Sequence, residues 1–594
     1  MTDLAARSTE RGQPGPDSTS VGTARDGAVR FGPGRAVTGS PPQPPGMRRH
    51  LPYTLPGLCF ALLFTCLSFT PSLLPRSGLI QGLICGVNAA IGYGLGVFAA
   101  AAWRAVADRD ARMPRATSWA LLAVATAVTL PVAVVLGRYW QDRIRDLMGV
   151  PHDSVVSSLI FLPVAAVVPF VALVAAARGI RWCYRHLDRR LRRWIGPRAA
   201  DVLTGAIVVV GAVLVVNGVL VDGAVRLADH AFSLQNADTE PGVRQPTTEL
   251  RSGGPGALIG WGSLGRYGRS FVAGGPTAEQ IGQVSGAGAT AQTPIRAYAG
   301  LDSAVNVEDR ARLAVADLER AGGFRRSVLV VATTTGSGWI DPASPATLEY
   351  LTGGDCAVVA MQYSYLPSWL SYLVDQDRAR DAGRQLFDAV YARWSDLPQN
   401  ARPRLYVYGE SLGSFGAEAP FSGEFDLRNR TAGTLLVGPP AFNTLYGQFV
   451  RDRDPGSTAV SPIYRGGRTV RFQSDPNAPP PPPGVAWNDS RVLYLLHPSD
   501  PVVKWSTDLV LQRPDWLEEP RGRDVVDAVH WIPFVTFWQV TFDLPFALDV
   551  PQGHGHTYSR EYVDGWASVL RVYGDEARLA RLRDVIAPPA GTAA

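Results

Sequence analysis

Long apolar runs separated by short polar segments dominate the first third of the chain. After a polar start, five such runs follow one another: residues 55–74, 79–103, 118–137, 157–177 and 202–221. Each has roughly the 20 residues that an α-helix needs to cross the apolar core of a bilayer. Their centres are almost free of charge, which is uncommon for buried helices of a soluble domain. The pattern therefore predicts about five membrane-spanning helices.

A different pattern begins after the last apolar run. Residues 223–300 are Gly-rich and irregular, but from about residue 305 aliphatic runs alternate with amphipathic segments. Strands are predicted at "RSVLVVATTTGSG", "CAVVAMQYSYL", "RLYVYG", "GTLLVG" and "RVLYLLH", and helices at "NVEDRARLAVADLERAG", at "DRARDAGRQLFDAVYARW" and from Leu412. Buried strands alternating with helices are typical of a parallel sheet covered on both faces. The predicted fold is a helical transmembrane domain followed by an α/β domain with a mostly parallel sheet covered on both faces.

These changes of pattern define the expected domain organisation. Residues 1–50 are rich in Gly, Pro, Ser, Thr and Arg, so they cannot bury enough apolar surface to order and should form a disordered tail. The transmembrane domain is expected at 51–222 and a Gly-rich connection, which begins the second domain, at 223–300. The α/β domain should occupy 301–585, followed by a flexible tail at 586–594.

The charged residues indicate an orientation rather than a nucleic-acid partner. The net charge is only +5, and Lys504 is the one lysine among 57 basic residues. Under the positive-inside rule, the arginine-rich segment 178–198 and the loop 104–116 should remain in the cytoplasm. With five spans, the N-terminus is then cytoplasmic and everything after residue 222 lies outside. We expect a lipid bilayer as a partner and no nucleic acid.

Cysteine usage argues against two kinds of site. The five cysteines are Cys59, Cys66, Cys85, Cys183 and Cys356. Their spacing predicts neither a disulfide framework nor a zinc cluster. We therefore expect no metal and no cofactor.

The segment "LYVYGESLGSFG", residues 405–416, places Ser411 in a Gly-x-Ser-x-Gly pattern between a predicted strand and a predicted helix. In that context, small residues at 409 and 413 permit the tight turn that presents a nucleophilic hydroxyl. The Leu412 amide, at the start of the helix, can donate to an oxyanion. A second donor is expected from the loop after the first strong strand, from the backbone of Thr334 or Thr335.

A serine nucleophile needs a base, and the base needs an acid that holds its tautomer. Asp500 follows the strand "RVLYLLH", at the sheet edge where active sites of such folds collect. The loop "VPQGHGHTYSREY" then offers His554 and His556, of which His556 is slightly favoured because it lies nearer the following helix. The order serine, acid, histidine is that of α/β-hydrolases. The sequence thus predicts a Ser-His-Asp triad with either histidine as its base.

Two further stretches bear on the substrate. Residues 439–489 separate two predicted strands, and residues 529–548 are unusually aromatic and apolar. A lid or an acyl-binding wall would account for both. The second stretch equally suits a membrane-facing patch or a helix packed in the core.

Several motifs together resemble one family. "GWGSLGRYGRSFV", "YGESLGSFG", "HPSDPVVKW", "RPDWLEEPRG" and "GHGHTY", combined with the apolar runs, resemble the actinobacterial membrane-anchored α/β-hydrolase family over roughly residues 50–580. The resemblance implies a serine hydrolase that acts on esters or lipids at the cell envelope. An acyltransferase that uses the same triad, and a non-catalytic membrane scaffold that keeps the fold, are the alternatives.

Overall fold

The computed structural model describes residues 53–108, 114–215, 217–218, 222–572 and 575–587. The predicted tail at 1–50 lies outside these residues, as does most of the predicted tail at 586–594. Within the described part, an N-terminal helical domain precedes an α/β domain, as the pattern predicts.

The N-terminal domain consists of apolar helices. They are α1 (Leu55–Leu67), α2 (Gly78–Val106), α3 (Ala116–Met148), α4 (Val155–Leu191) and α5 (Pro197–Leu214). Among the described residues, α2 to α5 are long and apolar enough to cross a membrane, whereas α1 has 13 residues. Helix α2 packs against both α1 and α4. The predicted first span, 55–74, is therefore helical only as far as Leu67.

Two prolines explain why helix α1 ends before the first apolar run does. Pro71 and Pro75 lack the amide donor that helix continuation requires, so the chain from 68 to 77 forms a connection instead. The Ser68 hydroxyl donates to the Phe64 carbonyl oxygen at 2.7 Å and closes the end of α1. Hydropathy along the sequence does not reveal where α1 ends, because the connection that follows is itself rich in apolar residues.

The described residues of the second domain form a seven-stranded parallel sheet. Its strands are β1 (Ile295–Ala299), β2 (Val328–Thr333), β3 (Cys356–Met361), β4 (Arg404–Glu410), β5 (Gly433–Val437), β6 (Val470–Gln473) and β7 (Arg491–Leu495). They lie in the order β1-β3-β2-β4-β5-β7-β6, and all neighbouring pairs are parallel. Strands β2, β3, β4, β5 and β7 confirm the sequence prediction.

Strands β1 and β6 were not predicted, because each carries an arginine within a short run. The Arg296 side chain of β1 is buried and pairs with Glu349, with 2.7 Å between Nε and Oε1. Arg471 of β6 donates through Nε to the Gly467 carbonyl oxygen at 2.7 Å. These hydrogen-bond partners offset the cost of burying each guanidinium group. The sequence around the two arginines does not predict them.

The remaining helices surround the sheet. They are α6 (Asp222–Ala237), α7 (Gly265–Ala273), α8 (Ala278–Ser285), α9 (Val307–Arg320), α10 (Ala343–Leu351), α11 (Ser368–Val374), α12 (Gln376–Ser395), α13 (Leu412–Glu418), α14 (Glu424–Arg430), α15 (Thr444–Arg451), α16 (Pro501–Lys504), α17 (Val535–Asp543), α18 (Arg560–Leu570) and α19 (Glu576–Ile586). Helices α9, α12 and α13 pack together as one group, and α10, α18 and α19 as another. Both groups contact the strands, as expected for a doubly covered sheet.

The two domains meet where the α1–α2 connection contacts α17. Arg76 and Asp543 form an ion pair with 2.8 Å between Nε and Oδ1, and their side chains are only 2% and 1% exposed. The Ser72 hydroxyl donates to Oδ2 of the same carboxylate at 2.6 Å. Gln539 donates to the Thr70 carbonyl oxygen at 2.9 Å. The carboxylate of Asp543 thus joins two side chains of the helical domain to the α/β domain.

Apolar contacts extend this interface. Leu73 and Leu74 of the connection, together with Ile144 and Met148 of α3, share one buried cluster with side chains of the α/β domain that include Val540. The aromatic stretch 529–548 therefore contacts the helical domain through α17. Of the interpretations that the sequence left open for this stretch, the buried side chains of α17 favour a helix packed in the core.

Candidate active site

Ser411 occupies a strained turn between β4 and α13. Its φ and ψ are 52° and −132°, a backbone conformation that side-chain-bearing residues rarely adopt. The Ser411 amide donates to the Val437 carbonyl oxygen of β5 at 2.9 Å, and the Ser414 hydroxyl donates to the Ser411 carbonyl oxygen at 2.7 Å. Neighbours on both sides therefore hold this backbone in place.

The two glycines of the Gly-x-Ser-x-Gly motif are needed because backbone segments approach closely here. A Cβ atom on Gly409 would lie 2.4 Å from the Gly413 carbonyl oxygen. A Cβ atom on Gly413 would lie 2.4 Å from the carbonyl oxygen of Thr333, at the end of β2. Larger residues would push the helix away from the strands and open the turn.

His556 and Asp500 form a buried pair. His556 Nδ1 lies 2.6 Å from Asp500 Oδ2. The Tyr558 hydroxyl donates to the same oxygen at 3.0 Å, and the Val502 amide donates to Oδ1 at 2.8 Å. An acceptor at Nδ1 places the proton of a neutral imidazole on that nitrogen and leaves Nε2 as the basic atom.

The imidazole of His556 lies beside the strand that anchors Ser411. A Cβ atom on Gly438 would lie 2.4 Å from His556 Cε1, and Gly438 directly follows the residue whose carbonyl oxygen accepts the Ser411 amide. His556 Nε2 is buried and has no hydrogen-bond partner among the described residues. The Ser411 hydroxyl instead lies 3.4 Å from the Ser368 hydroxyl. In this conformation no hydrogen bond joins Ser411 to His556 among the described residues.

The second histidine occupies a separate environment. His554 Nδ1 lies 3.5 Å from Oδ2 of Asp524, which also accepts a hydrogen bond from the Ser499 hydroxyl at 2.5 Å. The Ser499 hydroxyl accepts from the Gly555 amide at 2.8 Å. The two histidines that the sequence left as alternatives therefore face different carboxylates, and only His556 lies against Asp500.

The predicted oxyanion donors differ in their availability. The Thr335 amide donates to the Trp339 carbonyl oxygen at 3.0 Å, so the structure disfavours it as a free donor. Thr334 is fully buried next to the turn, since a Cβ atom on Gly413 would lie 2.9 Å from its carbonyl oxygen. Leu412 is fully buried as the first residue of α13. Leu412 and Thr334 remain the predicted donors.

Two further carboxyl groups, those of Glu410 and Asp341, raise the pKa of the His556 imidazole, and the sequence predicts neither. Burial, and next the charge of Asp341, raise the pKa of Glu410 to about 8. Burial also raises the pKa of Asp341 to about 6. Burial alone would lower the pKa of His556, but Asp500, followed by Glu410 and Asp341, outweighs it, and the pKa is raised above its ordinary value. Glu410 occupies the variable position before the serine in Gly-x-Ser-x-Gly, and this position is the one feature of the sequence that could have identified it.

Helix α11 covers Ser411, which is only 5% exposed. Ser368 at its start contacts the Ser411 hydroxyl, and the Tyr372 hydroxyl donates to the Val502 carbonyl oxygen at 3.1 Å. The same short helix leaves Trp369 and Leu373 exposed to solvent. The segment 368–374 therefore contacts the Ser411 hydroxyl through its first residue.

Lys504 lies in the core close to the acid. Burial lowers its pKa to about 8, although Asp500 and Asp524 act in the opposite direction. Its Nζ lies 5.7 Å from the centre of the Trp516 ring. The lysine thus packs its charge against an aromatic face beneath the Asp500 turn.

Two family models match the chain. The model described as the alpha/beta-hydrolase family matches residues 295–582. The model described as the N-terminus of an alpha/beta-hydrolase family matches residues 69–276. No curated protein and no solved structure matches. Because the two models together cover most of the chain, and the sheet and the serine turn agree with them, the protein belongs to this α/β-hydrolase family.

Proposed function

We propose that the protein is a membrane-anchored serine hydrolase that cleaves ester or lipid substrates with Ser411 as nucleophile. The observation that carries the proposal is the buried pair of His556 and Asp500, with 2.6 Å between Nδ1 and Oδ2. The Nε2 atom of His556 has no hydrogen-bond partner among the described residues, and the imidazole lies against Gly438, which follows the residue that accepts the Ser411 amide. The family supports a hydrolase, and the residue roles are our proposal.

The first half of the reaction forms an acyl-enzyme. The Ser411 hydroxyl turns from Ser368 to His556 Nε2 and transfers its proton there while Oγ attacks the ester carbonyl carbon. The carbonyl oxygen becomes an oxyanion, which the amides of Leu412 and Thr334 stabilise. Asp500 stabilises the resulting imidazolium. The C–O bond then breaks, and the leaving alcohol takes the proton from Nε2.

The second half returns the free enzyme. A water molecule gives a proton to His556 Nε2 and attacks the acyl carbon, and the Ser411–acyl bond breaks as the oxygen regains the proton. The product is a carboxylic acid. Trp369 and Leu373, the exposed apolar side chains of α11, support an apolar acyl group as the substrate, since the same helix contacts the Ser411 hydroxyl through Ser368.

Replacing Ser411 by alanine should abolish covalent labelling by a fluorophosphonate and ester turnover together, because both need the Oγ nucleophile. Peptide mapping of the labelled protein should place the probe on Ser411. Ser368→Ala is the matched control, since Ser368 is the nearest hydroxyl at 3.4 Å, and this variant should still be labelled. Labelling that persists in Ser411→Ala would disprove the proposed nucleophile.

The two histidine–carboxylate pairs offer a matched test of the base and the acid. His556→Ala should cost nearly as much activity as loss of the serine, because triad members act as a unit. Asp500→Asn should lower kcat by about 10⁴, since the amide no longer holds the required tautomer. His554→Ala and Asp524→Asn should cost far less. Equal losses in both pairs, at unchanged thermal stability, would contradict the assignment.

The pH dependence of kcat/KM should report the raised pKa of His556. The imidazole must be neutral to accept a proton, so activity should fall on the acid side with a half-point above the ordinary value of about 6.5. Asp341→Asn should move this half-point to lower pH, because a nearby negative charge is lost. Glu410→Gln should move it in the same direction, because Glu410 precedes Asp341 among the groups whose charge raises the pKa of His556. An unmoved half-point in Asp341→Asn would refute this electrostatic account.

We also propose that the N-terminus is cytoplasmic and the α/β domain extracytoplasmic, from the arginine-rich segment 178–198. A C-terminal alkaline phosphatase fusion should then be active, and a C-terminal fluorescent reporter that folds only in the cytoplasm should be dark. Fusions after Ile195 should give the opposite result and serve as the control. The reverse pattern at both positions would overturn the orientation.

A further inference from the structure

A cavity of about 290 Å³ lies in the helical domain, between α2, α3, α4 and the α1–α2 connection. Its volume is close to the lower end of the range for small-molecule sites, about 300–1,000 Å³. One part of its wall is apolar and the other carries arginines and a helix N-terminus. Nothing in the proposed hydrolysis uses this cavity.

The polar part of the wall is suited to an anion. Gly78 begins the 29-residue helix α2, and Ser77 caps it by accepting the Ile80 amide at 3.5 Å. Both residues line the cavity together with Arg76, Arg138 and Arg145. The first amides of a helix have no partner within it, and its dipole is positive at this end. A helix N-terminus flanked by arginines is a common binding site for phosphate groups.

A second observation points to a ligand at the same place. The Arg76 side chain is 2% exposed, and its Nε and Nη2 donate to Asp543 at 2.8 and 3.3 Å. Its Nη1 is buried without a hydrogen-bond partner among the described residues. A buried charged donor left unpaired is unfavourable, and an anion in the cavity would satisfy it.

Neighbouring carboxylates limit the charge that the site can accept. Asp153 also lines the cavity and accepts from Arg145 Nη2 at 2.8 Å. Arg138 donates through Nε to Asp142 at 3.1 Å. Together with Asp543, which pairs with Arg76, these carboxylates balance the charges of all three arginines, so the N-terminus of α2 and the unpaired Arg76 Nη1 are what favours an anion. A singly charged phosphodiester therefore fits better than a doubly charged phosphate.

The apolar part of the wall is suited to a hydrocarbon chain. Phe69, Val134, Val135 and Leu162 line it, and Val135 is 68% exposed. The arginines lie at the ends of α2 and α3 that face the α/β domain. Under the proposed membrane anchoring, these ends lie at a membrane surface, with the apolar wall directed towards the hydrocarbon core.

We propose that this cavity binds one membrane lipid with a singly charged phosphodiester head. The phosphate lies between Arg76, Arg138 and the N-terminus of α2, and one acyl chain lies along the wall formed by Phe69 and Val135. The inference rests on the proposed membrane location of these helices. It does not depend on the proposed hydrolysis.

Native mass spectrometry of the full chain in mild detergent tests the site, in the Ser411→Ala background so that no lipid is consumed. Long-chain phosphatidylglycerol should bind with 1:1 stoichiometry and raise the Tm. Arg138→Gln should weaken binding about tenfold, because a charge-assisted hydrogen bond to the phosphate is lost. Arg143→Gln on the same helix, exposed and outside the cavity wall, is the matched control and should bind normally.

Binding of other ligands tests whether the cavity recognises the net charge, the phosphodiester or the acyl chain. Phosphatidylcholine, oleate and inorganic phosphate should each bind at least tenfold more weakly than phosphatidylglycerol, since each lacks the net charge, the phosphodiester or the acyl chain. Binding of phosphatidylglycerol that is absent, or equal in Arg138→Gln and Arg143→Gln, would overturn the proposal. Equal binding of any one of the other ligands would do the same. These outcomes are independent of ester turnover, so they do not bear on the proposed triad.

Discussion

The backbone of Ser411, with φ at 52°, fixes where every other part of the site must lie. A conformation of this kind costs about 1–3 kcal/mol and persists only where its surroundings determine it. The hydrogen bond to β5 and the close contact of Gly413 with the end of β2 provide that support. Because β4 lies between β2 and β5 in the sheet, the turn is supported on both sides.

The order of the strands in the sheet also determines where Asp500 and the loop that carries His556 lie. Strand β7 lies next to β5, so the turn that follows it brings Asp500 to the carboxyl edge near the serine. The loop that carries His556 is held there by contacts to the same turn, including the Gly555 amide to Ser499. The three residues of the proposed triad therefore lie at one edge of the sheet, because neighbouring parallel strands end there.

The helical domain contributes to the stability of this arrangement as well as to its location. A Cβ atom on Gly555 would lie 3.4 Å from the side chain of Leu74, so the histidine loop packs close to the α1–α2 connection. Loss of the Arg76 side chain alone would leave the buried carboxylate of Asp543 without its cation, and such a loss typically costs about 3–5 kcal/mol. The α/β domain is thus not independent of the helices that precede it.

The sequence predicts the strongly periodic elements and the order of Ser411, Asp500 and the loop that carries His554 and His556, because these depend on local pattern and chain order. It does not predict the buried Arg296 in β1, whose partner Glu349 is distant in sequence. It also misses the cover that α11 forms over the serine, since only the tertiary fold brings Ser368 to Ser411. The choice between the two histidines likewise required the three-dimensional positions of Asp500 and Asp524.

Lys504 makes the turn around Asp500 chemically different from the rest of the chain. It is the one lysine in a chain whose other basic side chains are arginines, and it is buried beside the turn that bears Asp500. A lysine-specific protease therefore has a single target bond, which becomes accessible only when this turn leaves the core. The rate of that cleavage measures the free energy of local opening at the acid of the site, without any engineered label.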